Sequence, residues 1–378
     1  MNAESSDGNT NTLQVMQSEF ASLTEAWDAL IPAGITPFPF VSRAWAEPWW
    51  QIFGAGKELL LLSVADTNGS ILAVAPLMIE NTDDLGRAVR FIGGVDVTDY
   101  LDIAAWPDHA AQAWQAIIAW LVAQRDRWDT LDFHCIPDAS PSRALIADAV
   151  ARVGNGFTSI TVQEEVCPTV ELHGGFEPYL AHLAKKYRNE IRRKERNLLR
   201  ESPDAALHVR TGRDEVLAAL PDFFRLHRLS APDKDRFLTP DVEKFFSAIT
   251  TSMANAGVLR LYALQMDGEV VAMMYAFVAA RRLLVYNSGF DPSRSETSVG
   301  MVLTGMMIAD AAGSGLAVCD FLRGNESYKY RFGAVDVPLW RVLAGTNPAT
   351  LEQARAAMTV HLAVPADNRD QDSDHAED

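Results

Sequence analysis

The spacing of apolar positions predicts a β-hairpin near the start of each half of the chain. In the first half, apolar runs over 59–64 and 71–78 flank the turn Asp66-Thr67-Asn68-Gly69, whose Asn-Gly pair suits positive φ. In the second half, runs over 258–264 and 270–278 flank a turn at 266–269. Both hairpins are therefore expected to open similar units.

The elements expected after each hairpin follow the same order. In the first half they are strands near 89–92, 100–105 and 130–136, with a helix over 109–124 before the last strand. In the second half they are a strand over 282–288, a helix over 298–312 and a strand that ends in Asp320-Phe321, which matches Asp132-Phe133. This order predicts a mixed α/β (α+β) fold of two similar domains, each a mixed sheet flanked by helices. Chance similarity between hairpins is the alternative.

Apolar residues at helical spacing predict further helices, over about 20–30, around 45–50 and over 176–202, 213–229 and 240–256. The polar loop 230–239 between the last two has the composition of a cover over a cleft. The helix over 176–202 differs from the others because it is strongly basic. Its basic residues are Lys185, Lys186, Arg188, Arg192, Arg193, Lys194, Arg196 and Arg200. They form either a solvated face with pairs such as Glu190 with Lys194, or a positive rim for an anionic substrate or cofactor.

Length and composition set the domain plan. A chain of 378 residues, 48% hydrophobic, exceeds one ordinary core, so we expect domains at 13–168 and 169–363. The polar leader 1–12 and the acidic tail 364–378 are expected to be disordered. No apolar run is long enough to span a bilayer and no secretory signal is recognisable, so a cytoplasmic protein is expected.

The net charge and the cysteine content limit which binding partners and metal sites are expected. A net charge of -17 argues against a dedicated nucleic-acid binder, although the basic helix leaves tRNA open. The three cysteines are scattered and form no CxxC pair, so we expect buried thiols and no metal.

A dense polar cluster follows the last predicted core strand. The segment 320–333 reads Asp-Phe-Leu-Arg-Gly-Asn-Glu-Ser-Tyr-Lys-Tyr-Arg-Phe-Gly, and its simplest interpretation is a solvated surface turn. However, Asp320-Phe321-Leu322-Arg323-Gly324 with the Glu, Tyr-Lys and Arg-Phe-Gly groups after it resembles the closing motif of CelD-type acetyltransferases, a branch of the GNAT superfamily. The basic segment 186–196 and the segment 286–292 resemble that family too. The likeness covers about 170–333 well and the first half loosely.

The resemblance implies a tandem GNAT arrangement similar to the FemAB-type transferases. It implies transfer from acetyl-CoA or another acyl-CoA to an amine or hydroxyl of a small-molecule or saccharide acceptor. The implied cofactor-binding residues are Tyr286, Ser288, Thr297, Ser298 and Gly300, since a helix N-terminus favours a pyrophosphate. The usual superfamily pattern, Gln or Arg, two residues, Gly, one residue, Gly or Ala, is not present here, and an ordinary capped helix is the alternative.

Direct acyl transfer needs a base, an acid and a donor for the developing oxyanion. The candidates for catalysis are Asp320, Glu326, Tyr328 and Lys329, with Tyr286 as an alternative acid. The candidates for substrate binding are Arg323, Asp99, Arg188 and Arg192. The first half keeps Asp132-Phe133 but no Arg-Gly or Tyr-Lys, so a single chemical site is expected, with His134 more typical of structure than of catalysis.

Three functions agree with these patterns. The first is an acyl-CoA-dependent N- or O-acyltransferase, with a link to exopolysaccharide or cell-envelope metabolism that the resemblance suggests. The second is an aminoacyl-tRNA-dependent FemAB-like transferase. The third is a noncatalytic ligand-binding or assembly protein on the same fold, which the degenerate pyrophosphate loop favours.

Overall fold

The strands provide the frame of the molecule. The computed structural model describes residues 13–362, so the leader 1–12 and the tail 364–378 lie outside the described residues. Within that range the strands are β1 (Gln14–Gln17), β2 (Glu58–Ala65), β3 (Ile71–Thr82), β4 (Gly86–Phe91), β5 (Ala104–Ala105), β6 (Thr130–Pro137), β7 (Thr158–Glu171), β8 (Ala206–Arg210), β9 (Leu259–Met266), β10 (Glu269–Ala279), β11 (Arg282–Phe290), β12 (Val318–Asp320) and β13 (Val335–Gly345).

Helices alternate with these strands along the chain. Over the same range they are α1 (Thr24–Leu30), α2 (Arg43–Phe53), α3 (Ala110–Ala123), α4 (Ser142–Val153), α5 (Phe176–His182), α6 (Lys185–Glu201), α7 (Arg213–Ser230), α8 (Pro232–Phe237), α9 (Pro240–Asn255), α10 (Val299–Gly313), α11 (Ser327–Arg331) and α12 (Pro348–Leu362). None of the helices in residues 13–362 combines the length and apolar character needed to cross a membrane.

The strands form one continuous mixed sheet, in the order β1-β2-β3-β4-β6-β13-β7-β12-β11-β10-β9-β8, with β5 paired to β3. The hairpin β2–β3 is followed by β4, which pairs in parallel with β6. The hairpin β9–β10 is followed by β11, which pairs in parallel with β12. The predicted mixed α/β fold is thus confirmed, and both halves contain the same run of sheet neighbours.

The last strand of the chain lies in the middle of the sheet. β13 pairs antiparallel with β6 on one side and with β7 on the other. The expected domain boundary between Pro168 and Thr169 falls inside β7, whose register with β13 runs across it without a break. The division into domains at that point therefore stays a prediction.

Two predicted elements differ from those observed. The strand expected over 100–105 is reduced to β5, because Leu101 donates to the Cys135 carbonyl and buried Asp102 accepts from Ser140 and Ser142. The basic helix expected over 176–202 is divided into α5 and α6, because the backbone of Leu183 is extended (φ −71°, ψ 149°).

Other elements were not predicted at all. The strands β1, β7, β8 and β13 and the helices α4, α11 and α12 have no counterpart in the sequence patterns, and α8 lies within the segment expected to be a polar loop.

The hydrophobic core is continuous across the two halves. Trp45 of α2 packs edge-on against Phe245 of α9 and Phe277 of β10, at ring-centroid distances of 5.1 and 5.8 Å. Phe40 likewise lies 5.8 Å from Phe277. Aromatic residues far apart in the sequence therefore pack together and hold the first half against the second, beside the end of β11.

Candidate functional site

The site is built where two parallel strands separate. β11 and β12 pair only over Arg282–Leu284 and Val318–Asp320, and β11 then continues to Phe290 while the chain after Asp320 turns away. On its other side β11 carries a bulge, since Tyr275 pairs with Asn287 and Ala276 with Val285. Tyr286 is the extra residue, and bulges of this kind re-aim side chains near functional sites. The separated strands leave backbone groups on facing edges that the sheet does not pair.

The turn after β12 is held by Lys329. Its side chain is buried, and Nζ donates to the carbonyls of Arg323 and Gly324, both at 2.9 Å, and to Glu326 Oε2 at 2.8 Å. Leu322, at φ 55°, and Gly324, at φ 101°, give this turn its shape. A Cβ on Gly324 would also lie 2.6 Å from Glu326 Oε2. These contacts give Lys329 a structural function, and its catalytic role stays a prediction.

Asp320 lies beneath this turn with 1% of its surface exposed. Its carboxylate accepts hydrogen bonds from the Tyr100 hydroxyl and from the Leu322 backbone N–H, both at 2.9 Å. Burial raises the pKa of Asp320 to about 6. Tyr100 comes from the first half of the chain, so Asp320 also joins the two halves.

Arg323 and Asp99, both predicted to bind substrate, meet in the structure. Arg323 Nε donates to Asp99 Oδ1 at 3.2 Å, and its guanidinium also donates to the Val95 carbonyl. Tyr286 donates through its hydroxyl to the Val97 carbonyl at 2.8 Å. The loop 93–99 of the first half is therefore fixed against the separated strands of the second.

These residues line a pocket of about 280 Å³, which we call the transfer pocket. Its lining residues are Asp96, Val97, Asp99, His227, Asp233, Lys234, Phe237, Tyr286, Asn287 and Arg323. A second pocket of about 530 Å³ is lined by Asp96, Val97 and Phe237 as well, together with residues of α2, β3 and β4. The shared lining residues place the two pockets side by side, with the larger one mainly in the first half.

His227 and Lys234 bring titratable groups to the transfer pocket. The Ser288 carbonyl accepts from His227 Nδ1 at 3.0 Å and from Lys234 Nζ at 2.6 Å. Burial and the nearby Lys234 ammonium lower the pKa of His227 to about 4, so the imidazole is neutral at pH 7. Burial lowers the pKa of Lys234 to about 8. Ser288, a predicted cofactor-binding residue, thus has its carbonyl engaged by two side chains of the protein.

The start of α10 is the predicted pyrophosphate position. Ser298 precedes it with φ 54°, and the Ser298 hydroxyl accepts from Lys194 Nζ at 3.0 Å. Thr297 donates its hydroxyl hydrogen to the Arg294 carbonyl, so Ser298 rather than Thr297 occupies the N-cap position. A Cβ on Gly300 would meet only the Phe290 ring, at 3.8 Å, so protein atoms do not fill the space beside it.

This end of α10 fits an anionic group on two grounds. Unpaired N–H groups and the helix dipole favour negative charge at an N-terminus. Lys194 of the basic helix α6 lies at the same place, with Nζ 3.0 Å from the Ser298 hydroxyl and 3.5 Å from Glu190 Oε1. This follows because α6 packs along α10, with Ile191 3.4 Å from the Cβ position of Gly305. The residues present therefore fit the diphosphate of an acyl-CoA.

The remaining predicted site residues lie away from the transfer pocket. Arg192 pairs with Glu177 at 2.5 Å, and Arg188 is half-buried on α6; neither lines either pocket. Glu326 is exposed and bound to Lys329, as described above. Tyr328 packs edge-on against Phe321 with ring centroids 6.1 Å apart, and burial raises the pKa of its hydroxyl.

The equivalent position in the first half holds a buried ionic network. Asp132 has 0% exposure and accepts from Arg90 Nε and Arg341 Nε, both at 2.6 Å, and contacts His134 Nε2 at 2.8 Å. Burial acts to raise the pKa of Asp132, but its ionic partners outweigh burial and hold the pKa well below its usual range. His134 is fixed on its other side by Glu164. Both ring nitrogens are engaged, which agrees with the structural interpretation of His134.

Sequence reasoning missed His227, Lys234 and Tyr100 as parts of the site, and it named Lys194 only as one of eight basic residues of the helix over 176–202. The one signal for the first two was the polar loop 230–239, expected to cover a cleft, since Lys234 and Phe237 now line the transfer pocket. Tyr100 and Lys194 gave no individual signal, because a long helix and an acidic loop do not show which members point inward. No cluster of His, Cys, Asp and Glu within residues 13–362 has the composition of a metal site.

Comparisons with known proteins identify a domain family and related folds. Residues 185–330 match the family model described as "Acetyltransferase (GNAT) domain". A search of curated proteins gave no match.

Among solved structures, FemX superposes with a TM-score of 0.59 at 12% identity, covering 87% of this chain and 96% of that one. A structure described as the C-terminal domain of a lysylphosphatidylglycerol synthetase from Agrobacterium fabrum has a TM-score of 0.55 at 13% identity. The match covers 90% of this chain and 96% of that one. L-PGS from Bacillus licheniformis has a TM-score of 0.54 at 13% identity, and the match covers 89% of this chain and 94% of that one.

At these identities the structural matches show a shared fold and nothing finer. The CelD-type branch is not singled out by any of them. The chain therefore shares its overall fold with FemX, the synthetase domain and L-PGS, and within it residues 185–330 match the GNAT acetyltransferase domain.

Proposed function

We propose that the protein is an acyl-CoA-dependent N- or O-acyltransferase that transfers an acyl group directly to an acceptor in the transfer pocket. The observation that carries this proposal is the separation of β11 from β12, with the start of α10 and Lys194 at one end and the transfer pocket at the other. Lys194 and the start of α10 would hold the diphosphate of a thioester donor, and Tyr286 lines the transfer pocket in which its acyl group would react.

When bound, acyl-CoA supplies an activated acyl group on a thiol leaving group. Lys194 and the first turn of α10 would hold its diphosphate. Arg323, fixed by Asp99, holds the loop 93–99 closed over the pocket, and Lys234 supports β11 through Ser288. Burial raises the pKa of the Tyr328 hydroxyl and so keeps it protonated, but Tyr328 does not line the transfer pocket, and its role as the acid stays a prediction.

The test is ligand binding followed by turnover. Acetyl-CoA and longer acyl-CoAs should raise the melting temperature, since a ligand of the native state stabilises it. Lys194→Met should reduce this shift, whereas Lys185→Met, at an exposed position of the same helix, should not. Absence of any shift with acyl-CoAs, together with no release of free CoA, would remove the proposal. If tRNA gave no response either, a noncatalytic ligand-binding or assembly function would be favoured.

A second candidate is aminoacyl-tRNA-dependent transfer. The fold shared with FemX and the exposed basic residues of α6 support it, while the overall acidic charge opposes it. The exposed residues are Lys185, Lys186, Arg193, Arg196 and Arg200. Stabilisation by tRNA that weakens with salt, without any response to acyl-CoA, would support this candidate over the first.

A mutation tests the predicted acid. Tyr328→Phe in folded protein should lower kcat roughly 100-fold if the hydroxyl protonates the leaving thiolate, because one positioned acid contributes about that much. The rate of CoA release measures it. Unchanged kcat would leave Tyr328 with a packing function only.

A further inference from the structure

His227 presents an unused hydrogen-bond acceptor beside the transfer pocket. Only 1% of the surface of His227 is exposed, and its Nε2 atom is buried with no hydrogen-bond partner among the described residues. Most buried polar atoms in folded proteins are paired, so each exception needs an explanation, such as an ordered water, an ion or a ligand. The ring also lines the pocket in which transfer is proposed to occur.

The contacts of the ring decide which nitrogen carries the proton. The Ser288 carbonyl can only accept, so His227 Nδ1, at 3.0 Å from it, must be the N–H donor. In the neutral imidazole Nε2 then holds a lone pair. The ring is fixed between Phe223 and Phe237, whose centroids lie 5.7 and 5.9 Å away. The lone pair is thus held in one direction before any ligand arrives.

The position of α7 keeps the ring in place. A Cβ on Gly289 would lie 2.3 Å from the His227 backbone nitrogen, so α7 and β11 are in direct backbone contact here. His227 therefore belongs to a rigid part of the pocket wall, as a proton acceptor needs.

Charged groups around His227 restrict what can bind to Nε2. Lys234 and Arg228 are the cations that act on it, and the pocket adds Arg323 with the carboxylates of Asp96, Asp99 and Asp233. Asp99 is occupied by Arg323. An alcohol can donate its O–H to Nε2 without adding a further positive charge beside Lys234.

We propose that His227 Nε2 accepts the proton of a hydroxyl nucleophile, so that the acceptor substrate is an alcohol and the reaction an O-acyl transfer. This inference rests on the proposed function and narrows it. The body of the alcohol lies in the adjoining larger pocket, which shares Asp96, Val97 and Phe237 with the transfer pocket.

The step balances in atoms and electrons. The hydroxyl oxygen forms a bond to the thioester carbonyl carbon, and its proton passes to Nε2, giving an imidazolium whose Nδ1–H remains on the Ser288 carbonyl. The carbon–sulfur bond then breaks and the thiolate leaves. The imidazolium then gives the proton on Nε2 to the thiolate, which regenerates the neutral imidazole, so ester and free thiol are the products and no oxidant or reductant is needed.

The first experiment measures the tautomer without any substrate. In the full chain labelled with ¹⁵N-histidine, the His227 signals are assigned by comparison with His227→Asn. The neutral form protonated on Nδ1 should persist at pH 7, and the imidazolium should form only near pH 4. An Nε2–H tautomer, or an imidazolium at pH 7, would overturn the proposal.

The second experiment measures transfer, with acetyl-CoA as donor and glycerol or water as the hydroxyl probe. His227→Asn preserves a side-chain N–H that can reach the Ser288 carbonyl but removes the Nε2 lone pair. CoA release should fall about 100-fold or more, while the stabilisation by acetyl-CoA is retained. His208→Asn, on the exposed edge strand β8, is the matched control and should behave like the unmodified protein.

The outcomes separate the two claims. If acetyl-CoA neither stabilises the protein nor is consumed by it, the proposed function fails and the His227 assignment fails with it. If acetyl-CoA binds and is consumed but folded His227→Asn keeps kcat within about threefold, His227 is not the proton acceptor and the proposed function stands. Faster transfer to ethylenediamine than to glycerol at pH 7 would overturn the alcohol assignment.

Discussion

The carboxyl group of Asp320 makes the stability of the fold depend on pH. Its folded pKa of about 6 lies above the ordinary 3.8 because the group is buried. Between these pH values the folded state keeps the proton that the unfolded state has lost. The free energy of unfolding contributed by this group therefore falls as the pH rises from 3.8 to 6, by roughly 3 kcal/mol, and is constant above.

Asp320→Asn should remove this dependence. The amide oxygen can still accept from the Leu322 N–H, and no charge is buried at high pH. Chemical denaturation at pH 4 and pH 7 measures the effect: relative to the unmodified protein, the variant should gain stability on going from pH 4 to pH 7. Parallel pH profiles for the two proteins would show that Asp320 titrates normally.

Two other aspartates show how burial changes the cost of removing a carboxylate. Asp132→Ala should cost about 3–5 kcal/mol, because it removes a fully buried carboxylate that forms ion pairs with both Arg90 and Arg341. Asp129→Ala removes an exposed partner of Arg87 and should cost at most about 1 kcal/mol. Urea denaturation of both variants checks this contrast, and equal costs would contradict it.

At the scale of residues, the sequence anticipated the polar side chains of the closing motif better than their functions. Arg323 and Asp99 were both named and do meet at 3.2 Å. Lys329 was named as catalytic, yet its ammonium binds the turn that carries it. His227 could not be identified, because its significance depends on the Ser288 carbonyl, 61 positions away in the chain.

At the scale of elements, the contact between α7 and β11 depends on Gly289. A methyl group there would overlap the α7 backbone, at 2.3 Å from His227 N and 2.6 Å from Leu226 C. Gly289→Ala should therefore destabilise the fold by about 1–3 kcal/mol and displace the His227 ring.

The matched control is Gly313→Ala in the last turn of α10, where nothing lies within 4 Å of the Cβ position. It should be neutral or stabilising by about 0.5–1 kcal/mol, because alanine favours helix over glycine. Thermal unfolding compares the two. A neutral Gly289→Ala would mean that α7 can move away from β11 freely.

The two hairpins were predictable from paired apolar runs around a turn, α7 and α9 from apolar residues at helical spacing, and α3 and α10 from apolar segments of 14 and 15 residues. The long strands β7 and β13 were not. β7 contains Pro168 and β13 contains Pro338, and proline in a central strand normally argues against a strand assignment. Both lie in the interior of the sheet, where only the tertiary fold makes their pairing possible.

At the scale of the whole molecule, the two halves should unfold together. Arg323 with Asp99, Asp320 with Tyr100 and the aromatic contacts of Trp45 cross between them, and β13 joins them within one sheet. Denaturation followed by tryptophan fluorescence reports mainly the first half, since every tryptophan except Trp340 precedes residue 129.

Hydrogen exchange at amides of β9 to β11 reports the second half over the same denaturant range. Coincident midpoints are expected for a cooperative transition. Two separated midpoints would show that the halves are independent folding units and would support the predicted domain division.

The central position of β13 has a consequence for synthesis on the ribosome. β6 ends at Pro137, but β13, which pairs with it in the finished sheet, ends only at Gly345, about 200 residues later. At roughly 5–20 residues per second, the nascent first half carries an unpaired strand edge for about 10–40 s. Another chain can pair with such an unpaired edge. Correct folding therefore requires that β13 is synthesised and pairs with β6 before a strand of another polypeptide does.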